Sequence, residues 1–377
     1  VHDWGDALIL PGLIDTHVHL PQLAYAGLGG QPLLQWLNEM TFPTEARFAD
    51  ASFAERASER FFSSLLAAGT TSAAVYLTVF EQAGDLAFQA AAASGIRAWM
   101  GKPLMDIRSP EALCESTAEA LASMQRLIDR WHGVGLLRYV VTPRFALSCT
   151  PELMRQAGEM ARHHQCLVQT HLAENLDEVA AIADAFPQSE HYTAVYRDHG
   201  LLDKALLAHC LHLDDAELGM IKHHHGCVVH CPASNRFLQS GVFDAARMRS
   251  AGIDWSLGSD VGAGYGPSML KEMREAMETA KTSALFGRES SRMELRQALA
   301  AATRQGARAL GMEQELGALE KGFQADFIVL DDAAVNEFAG SRLFQSPQER
   351  LQRVVYRENA RAVQATWVAG RLRYSRH

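Results

Sequence analysis

From residue 8 to about residue 285, runs of consecutive apolar positions alternate with longer stretches whose apolar residues recur every three or four places. The runs are ALILPGLIDTHVHL (7–20), TTSAAVYLT (70–78), IRAWMGKPLM (96–105), LRYVVTPRFAL (137–147), CLVQTHLAE (166–174), ALLAHCL (205–211), CVVHCPASN (227–235) and IDWSLGSDVG (253–262). Near-continuous hydrophobicity marks strands buried on both faces, as in a parallel sheet covered by helices. The intervening stretches, such as EALCESTAEALASMQRLIDRW (111–131) and ELMRQAGEMARHH (152–164), carry the helical period. Gly69, Gly95, Gly226 and Gly252 close several of them, which suits a left-handed C-cap. Eight strands alternating with helices over about 250 residues predict an α/β fold, a (β/α)8 TIM-type barrel. A doubly wound sheet would need a topological switch point and usually a glycine-rich first turn, and neither is visible.

The tail reads differently. After RMELRQALAAATRQGARALGM (292–312) come FQADFIVLD (323–331) and VVYRENARAVQATWVAGRLRYSR (354–376). Short strands around the turn signal Ala369-Gly370-Arg371 predict a small antiparallel sheet. The expected organisation is a catalytic barrel with its C-terminal helices over 8–312 and a small β appendage from 1–7 and 313–377.

Charge and composition remove some function classes. A net charge of −9 leaves no basic face for nucleic acid. No run approaches the roughly 20 apolar residues of a membrane span. The opening VHDWGDALIL lacks a signal peptide and an initiator Met, and reads as a segment whose N-terminus lies upstream. The six cysteines, at 114, 149, 166, 210, 227 and 231, form no CxxC pair and fall mostly in apolar runs. They read as reduced core thiols of a cytoplasmic protein.

Catalytic groups in such barrels sit at the C-terminal ends of strands. Those ends carry His17 and His19 on the first strand and Arg144 and Phe145 on the fourth. The fifth carries His171 with Glu174 beyond it, the sixth His209, the seventh His230 and the eighth Asp260. His17 and His19, two apart, share one strand face. Imidazoles with one carboxylate suit Zn2+, or Fe2+ as second choice, and leave a position for water. His17, His19, His171 and Asp260 are the expected ligands, and His209 is either a fifth ligand or a contact of the water and substrate. A bound divalent metal lowers the pKa of water from about 15.7 towards about 7. Glu174 is placed to move the proton as general acid/base, against the plainer role of a helix N-terminal carboxylate. No lysine ends the fourth strand to bridge two metals, so one metal per chain is expected. Lys102 reads as structural. The absence of P-C-x-x-C excludes the small zinc nucleobase deaminases. His223, His224, His225, His163 and His164 read as helix-end residues rather than ligands.

These residues resemble the amidohydrolase superfamily through PGLIDTHVH (11–19), GTTSA (69–73), THLAEN (170–175), AHC (208–210), HCPASN (230–235) and GSDVGAG (258–264). HLPQLAYAG (19–27), LLQWLNEMTFPTEARF (33–48), TPRFALSC (142–149) and HYTAVYRDHGLL (191–202) resemble the guanine deaminase family within it. The resemblance implies guanine as the small-molecule substrate, hydrolysed at C2 to xanthine and ammonia. It implies that Gln22 and Arg144 hydrogen-bond the purine and that Phe145 and Trp36 wall it. Asp260 would take the proton of the attacking water, Glu174 would protonate the ring nitrogen beside C2, and His209, with His230 behind it, would stabilise developing charge. It also implies a homodimer, and an appendage whose usual N-terminal strands are missing here, leaving an exposed edge on 323–376. Two alternatives stay open: an aminohydrolase or chlorohydrolase for another purine, a pterin or a triazine, and a non-catalytic scaffold on the same barrel, which would have lost ligands.

Overall fold

The structure is a computed structural model that describes residues 3–287, 292–335, 346–359 and 361–376. Strands β1 to β13 run Leu8–Pro11, Leu13–His19, Thr70–Tyr76, Arg97–Gly101, Pro103–Leu104, Leu137–Pro143, Leu167–Leu172, Leu206–His209, Cys227–His230, Asp254–Leu257, Phe327–Leu330, Val363–Val368 and Arg371–Ser375. Eight of them pair in parallel in the order β10-β9-β8-β7-β6-β4-β3-β2, with β5 beside β6. Helices fill the connections, giving the predicted TIM-type barrel. Its interior packs Ile14, Ala74, Trp99, Val140, Leu206 and Val229, contributed by successive strands. Among the described residues no helix is long and apolar enough to cross a membrane.

The barrel closes between β10 and β2 through a seam of specific contacts. Thr16 Oγ1 donates to the Leu257 carbonyl at 2.8 Å, and the Asp260 amide donates to the His17 carbonyl at 2.9 Å. The seam therefore brings the residues just after β10 against the end of β2. Between Asp15 and Val18, β2 also carries one residue more than the facing Ala73–Val75 of β3. Such a bulge re-aims side chains, here at the segment that holds His17.

The first apolar run, which reads as one strand, is two. Leu8–Pro11 pairs antiparallel with β11, and Leu13–His19 enters the barrel. Gly12 makes the crossing: its amide donates to the Asp326 carbonyl at 2.9 Å, and a Cβ there would lie 2.1 Å from Thr71 Oγ1. The third run divides likewise, around Lys102, into β4 and β5.

The small sheet is antiparallel in the order β1-β11-β12-β13. Ala369 and Gly370, at φ 48° and 72°, form the tight turn between β12 and β13. β13 is an edge, with Arg371 and Leu372 exposed, whereas the other side of β11 is taken by β1. Residues 354–357, expected in a strand, end a helix over Pro347–Arg357 instead. Ser346 and Glu349 cap it reciprocally, Pro347 opens it, and Leu351, Val354 and Val355 bury one face. Part of the 313–377 span, residues 336–345, lies outside the described residues. One expected glycine cap also differs: at the end of the helix over Asp215–His223 the left-handed residue is His225, at φ 54°, and Gly226 instead lets Leu207 and Ile221 approach.

Candidate active site

The strand ends bring the expected cluster together. His19 Nε2 lies 3.2 Å from His17 Nε2 and 3.3 Å from His171 Nε2, and both His17 and His19 reach Asp260 Oδ1 at 3.3 Å. His209 Nε2 stands 3.9 Å from Asp260 Oδ2 and 3.5 Å from Glu174 Oε2. All six side chains but His171 are buried, and His171 is partly buried.

The donor atoms fit a cation. His171 donates its Nδ1 hydrogen to the Arg144 carbonyl at 2.7 Å, which leaves the lone pair on Nε2 aimed into the cluster. His209 Nδ1 is paired with Asn235 Oδ1 at 2.8 Å, and its buried Nε2 has no hydrogen-bond partner. Imidazole lone pairs converging this closely repel one another unless a positive charge lies between them. His17, His19, His171 and Asp260 could hold a divalent ion, with His209 a fifth donor. Cys231 also approaches His17, His209 and Asp260, but burial pushes its thiol well above the usual range, away from the thiolate that binds metal.

Backbone strain surrounds these groups. His209, Cys210, Ala173 and Asp260 all adopt left-handed φ, between 46° and 72°, without being glycine. Such conformations cost about 1–3 kcal/mol each and persist where the surroundings over-determine them, as at functional sites.

Glu174 is not the cap of the helix that follows it. Asn175 and Glu178 form that capping box, and Glu178 Oε2 also accepts from the Glu174 amide at 2.8 Å. The Glu174 side chain instead accepts from Ser240 Oγ at 3.3 Å and faces the donor cluster. Burial, then the Asp260 and Glu178 carboxylates, push its pKa well above the ordinary carboxylate range. Burial works in the same direction on Asp260, but His17, His19 and His209 outweigh it and hold Asp260 well below that range. Two neighbouring carboxyl groups are thus driven in opposite directions.

Above the cluster opens a cleft lined by Gln22, Trp36, Arg144, Phe145, His171, Glu174 and Asp260. Trp36 is fixed by its Nε1 donating to the Leu28 carbonyl at 3.2 Å. Arg144 donates from Nη1 to Glu45 Oε2 at 2.7 Å, and Gln22 donates from Nε2 to Glu45 Oε1 at 3.4 Å. His230 lies outside the cleft wall: its ring stacks on Phe243 with centroids 4.2 Å apart, and Asn235 links it to His209.

Of the histidines read as helix-end residues, His163 and His164 sit in one last turn and His223 in another, with His224 and His225 directly after it. Lys102 is fully buried against Glu115 and Ser123, a structural pairing. Sequence reasoning missed Glu45, Asn235 and Ser240. Glu45 and Asn235 stand inside TFPTEARF and HCPASN, segments singled out as motifs, but nothing in one dimension shows which side chains they meet.

The buried imidazoles make a pH prediction for metal-free protein. Burial, reinforced by His209 and Arg236, pulls His230 down to about 3 from its ordinary value near 6.5, and burial likewise depresses His19 and His171. At these three groups the unfolded chain binds more protons than the folded one below 6.5, so their share of the stability is lost as pH drops, while the raised Glu174 carboxyl works the other way. Chelator-treated His230→Asn protein should lose less of its urea midpoint between pH 7.5 and pH 5 than the unmodified protein; an equal loss would contradict this.

The amidohydrolase family model matches residues 8–373. A guanine deaminase of Escherichia coli (strain K12) is 35% identical over 381 residues, spanning 100% of this chain and 85% of that protein. A crystal structure of guanine deaminase from C. acetobutylicum with bound guanine in the active site superposes with a TM-score of 0.93 at 31% identity, covering 98% of this chain and 88% of the other. An adenosine deaminase from Xanthomonas campestris with bound zinc superposes with a TM-score of 0.85 at 26% identity, covering 97% and 80%. Fold, strand-end constellation and full-length similarity agree: the chain belongs to the amidohydrolase family and, within it, to the guanine deaminases.

Proposed function

We propose that this chain is a guanine deaminase, hydrolysing guanine to xanthine and ammonia, in the cytoplasm and as a homodimer. The observation that carries the reaction is one cleft with the buried Glu174 carboxyl and the His17–His19–His171–Asp260 cluster at its floor, and Arg144 with Gln22 in its wall. The full-length similarity to guanine deaminases supports the substrate.

A single divalent cation, which we assign as Zn2+ with Fe2+ as second choice, would be held by His17, His19, His171 and Asp260 and would make water acidic enough to attack near neutral pH. The chain's own groups do the rest. Arg144 donates to the purine carbonyl, Gln22 pairs with the ring beside it, and Phe145 and Trp36 flank the flat heterocycle. Asp260, kept anionic, accepts the proton of the attacking water. Glu174, kept protonated, delivers its proton to the ring nitrogen beside C2 as the C–O bond forms. The proton held by Asp260 then passes to the exocyclic amine, the C2–N bond breaks and ammonia leaves, and the new C2 hydroxyl returns a proton to Glu174. His209, with its Nδ1 hydrogen committed to Asn235, offers Nε2 as a fifth ligand or to the water. His230 acts through Asn235 on that orientation.

The test is ammonia release from a panel of guanine, adenine, adenosine, a pterin and a chlorotriazine, run with native, chelated and zinc-reloaded protein. Guanine is expected to be the best substrate, with activity lost on chelation and restored by zinc. A better substrate elsewhere in the panel would replace this reading.

A further inference from the structure

We infer that Glu45, a residue with no part in the chemistry, is the positioning residue that sets what the cleft wall reads: it clamps Arg144 and fixes the polarity of the Gln22 amide. This deepens the guanine reading and rests on it.

Glu45 is fully buried on the short helix over Phe42–Ala46, and its two oxygens are divided between the two polar groups of the wall. Oε2 takes Arg144 Nη1 and Oε1 takes Gln22 Nε2. A carboxylate can only accept, so Gln22 must turn its NH2 towards it. The amide oxygen is thereby left over, and Gln22 Oε1 is buried with no hydrogen-bond partner. On the far side Gly262, at φ 117°, leaves room that a side chain would occupy: a Cβ there would lie 2.3 Å from Gln22 Oε1. Phe42 packs under the guanidinium, 5.3 Å from its ring centroid, so Arg144 is held from a second side.

The wall consequently presents a fixed acceptor, Gln22 Oε1, next to a fixed donor, Arg144. The ligand class that matches is a planar heterocycle carrying an N–H beside a carbonyl oxygen, the lactam edge of an oxopurine. A heterocycle with a bare ring nitrogen and C–H in those places leaves Gln22 Oε1 without a donor and Arg144 with Glu45 as its charged partner but nothing to donate to in the cleft. Without Glu45 the Gln22 amide is free to rotate by half a turn, and the discrimination is lost.

The experiment compares guanine with 2-aminopurine, which bears the same reacting amine but no lactam edge. The unmodified enzyme is expected to prefer guanine by roughly 10⁴ in kcat/KM, the scale seen when buried polar groups lose their partners. Glu45→Gln should cut that ratio by at least about tenfold, through a raised KM for guanine and a kcat within about threefold of the original. Glu45→Asp, which keeps a carboxylate for Arg144 while withdrawing it from Gln22, should also lower the ratio, and decides the matter if Glu45→Gln does not fold. A ratio within about twofold of the unmodified enzyme's, or an equal loss on both purines, overturns the role of Glu45. Failure of the unmodified chain to turn over guanine overturns the functional reading itself, and this inference with it.

Discussion

Glu174→Gln is expected to lower kcat for guanine by about 10³- to 10⁴-fold, the upper range for a general acid/base, while metal content stays at the level of the unmodified protein. The substitution is close to isosteric. Ser240 Oγ can still donate to the side-chain oxygen, and the bond from the residue 174 amide to Glu178 belongs to the backbone. What disappears is the proton that burial and the Asp260 and Glu178 charges keep on the carboxyl group. Glu174 contributes no atom to the tight cluster of His17, His19, His171 and Asp260, so those donors remain in place. Single-turnover kinetics beside elemental analysis gives the answer. A variant retaining about a tenth or more of the original kcat would remove the role.

Arg144→Met carries the second large effect, and it falls on stability as well as activity. Arg144 and Glu45 form a buried ion pair at 2.7 Å, with both side chains almost fully inaccessible. Taking away one partner strands the other charge in the interior, at a cost of about 3–5 kcal/mol. The variant should therefore unfold at markedly lower urea and should bind guanine weakly, since the donor to the purine carbonyl is gone. Adding Glu45→Gln to it should restore much of the stability but none of the guanine activity. Equal stability of Arg144→Met and the original protein would show that Glu45 is solvated or protonated there.

The sequence carried the fold to a useful depth because strand burial and helical period are local signals. His17, His19, His171, His209, Glu174 and Asp260 were legible for a related reason: barrel topology places every strand end at one rim, so a list along the chain becomes a ring in space. Three features lay beyond that logic. The break at Gly12 depends on Thr71, nearly 60 residues away, and on Asp326 at the other end of the chain. The helix over Pro347–Arg357 reads as strand because Val354 and Val355 favour strands, whereas Ser346, Pro347 and Glu349 start a helix upstream of them. Glu45 lies on a connection between barrel strands, where no periodicity marks its direction. Its meaning comes only from the two side chains that fold against it.

Arg144 joins two functions within one residue. Its guanidinium stands in the cleft wall, where the proposed reading has it meet the purine, while its carbonyl oxygen accepts the hydrogen bond that orients the His171 ring. Both groups hang on the same backbone unit, so a shift of residue 144 moves the root of the guanidinium and the His171 hydrogen bond together. For anyone refitting the cleft to a different heterocycle, the two properties form one design variable. A change that displaces the backbone at 144 retunes the affinity of the donor cluster, and a library selected only for a new substrate also selects, unasked, on the cation.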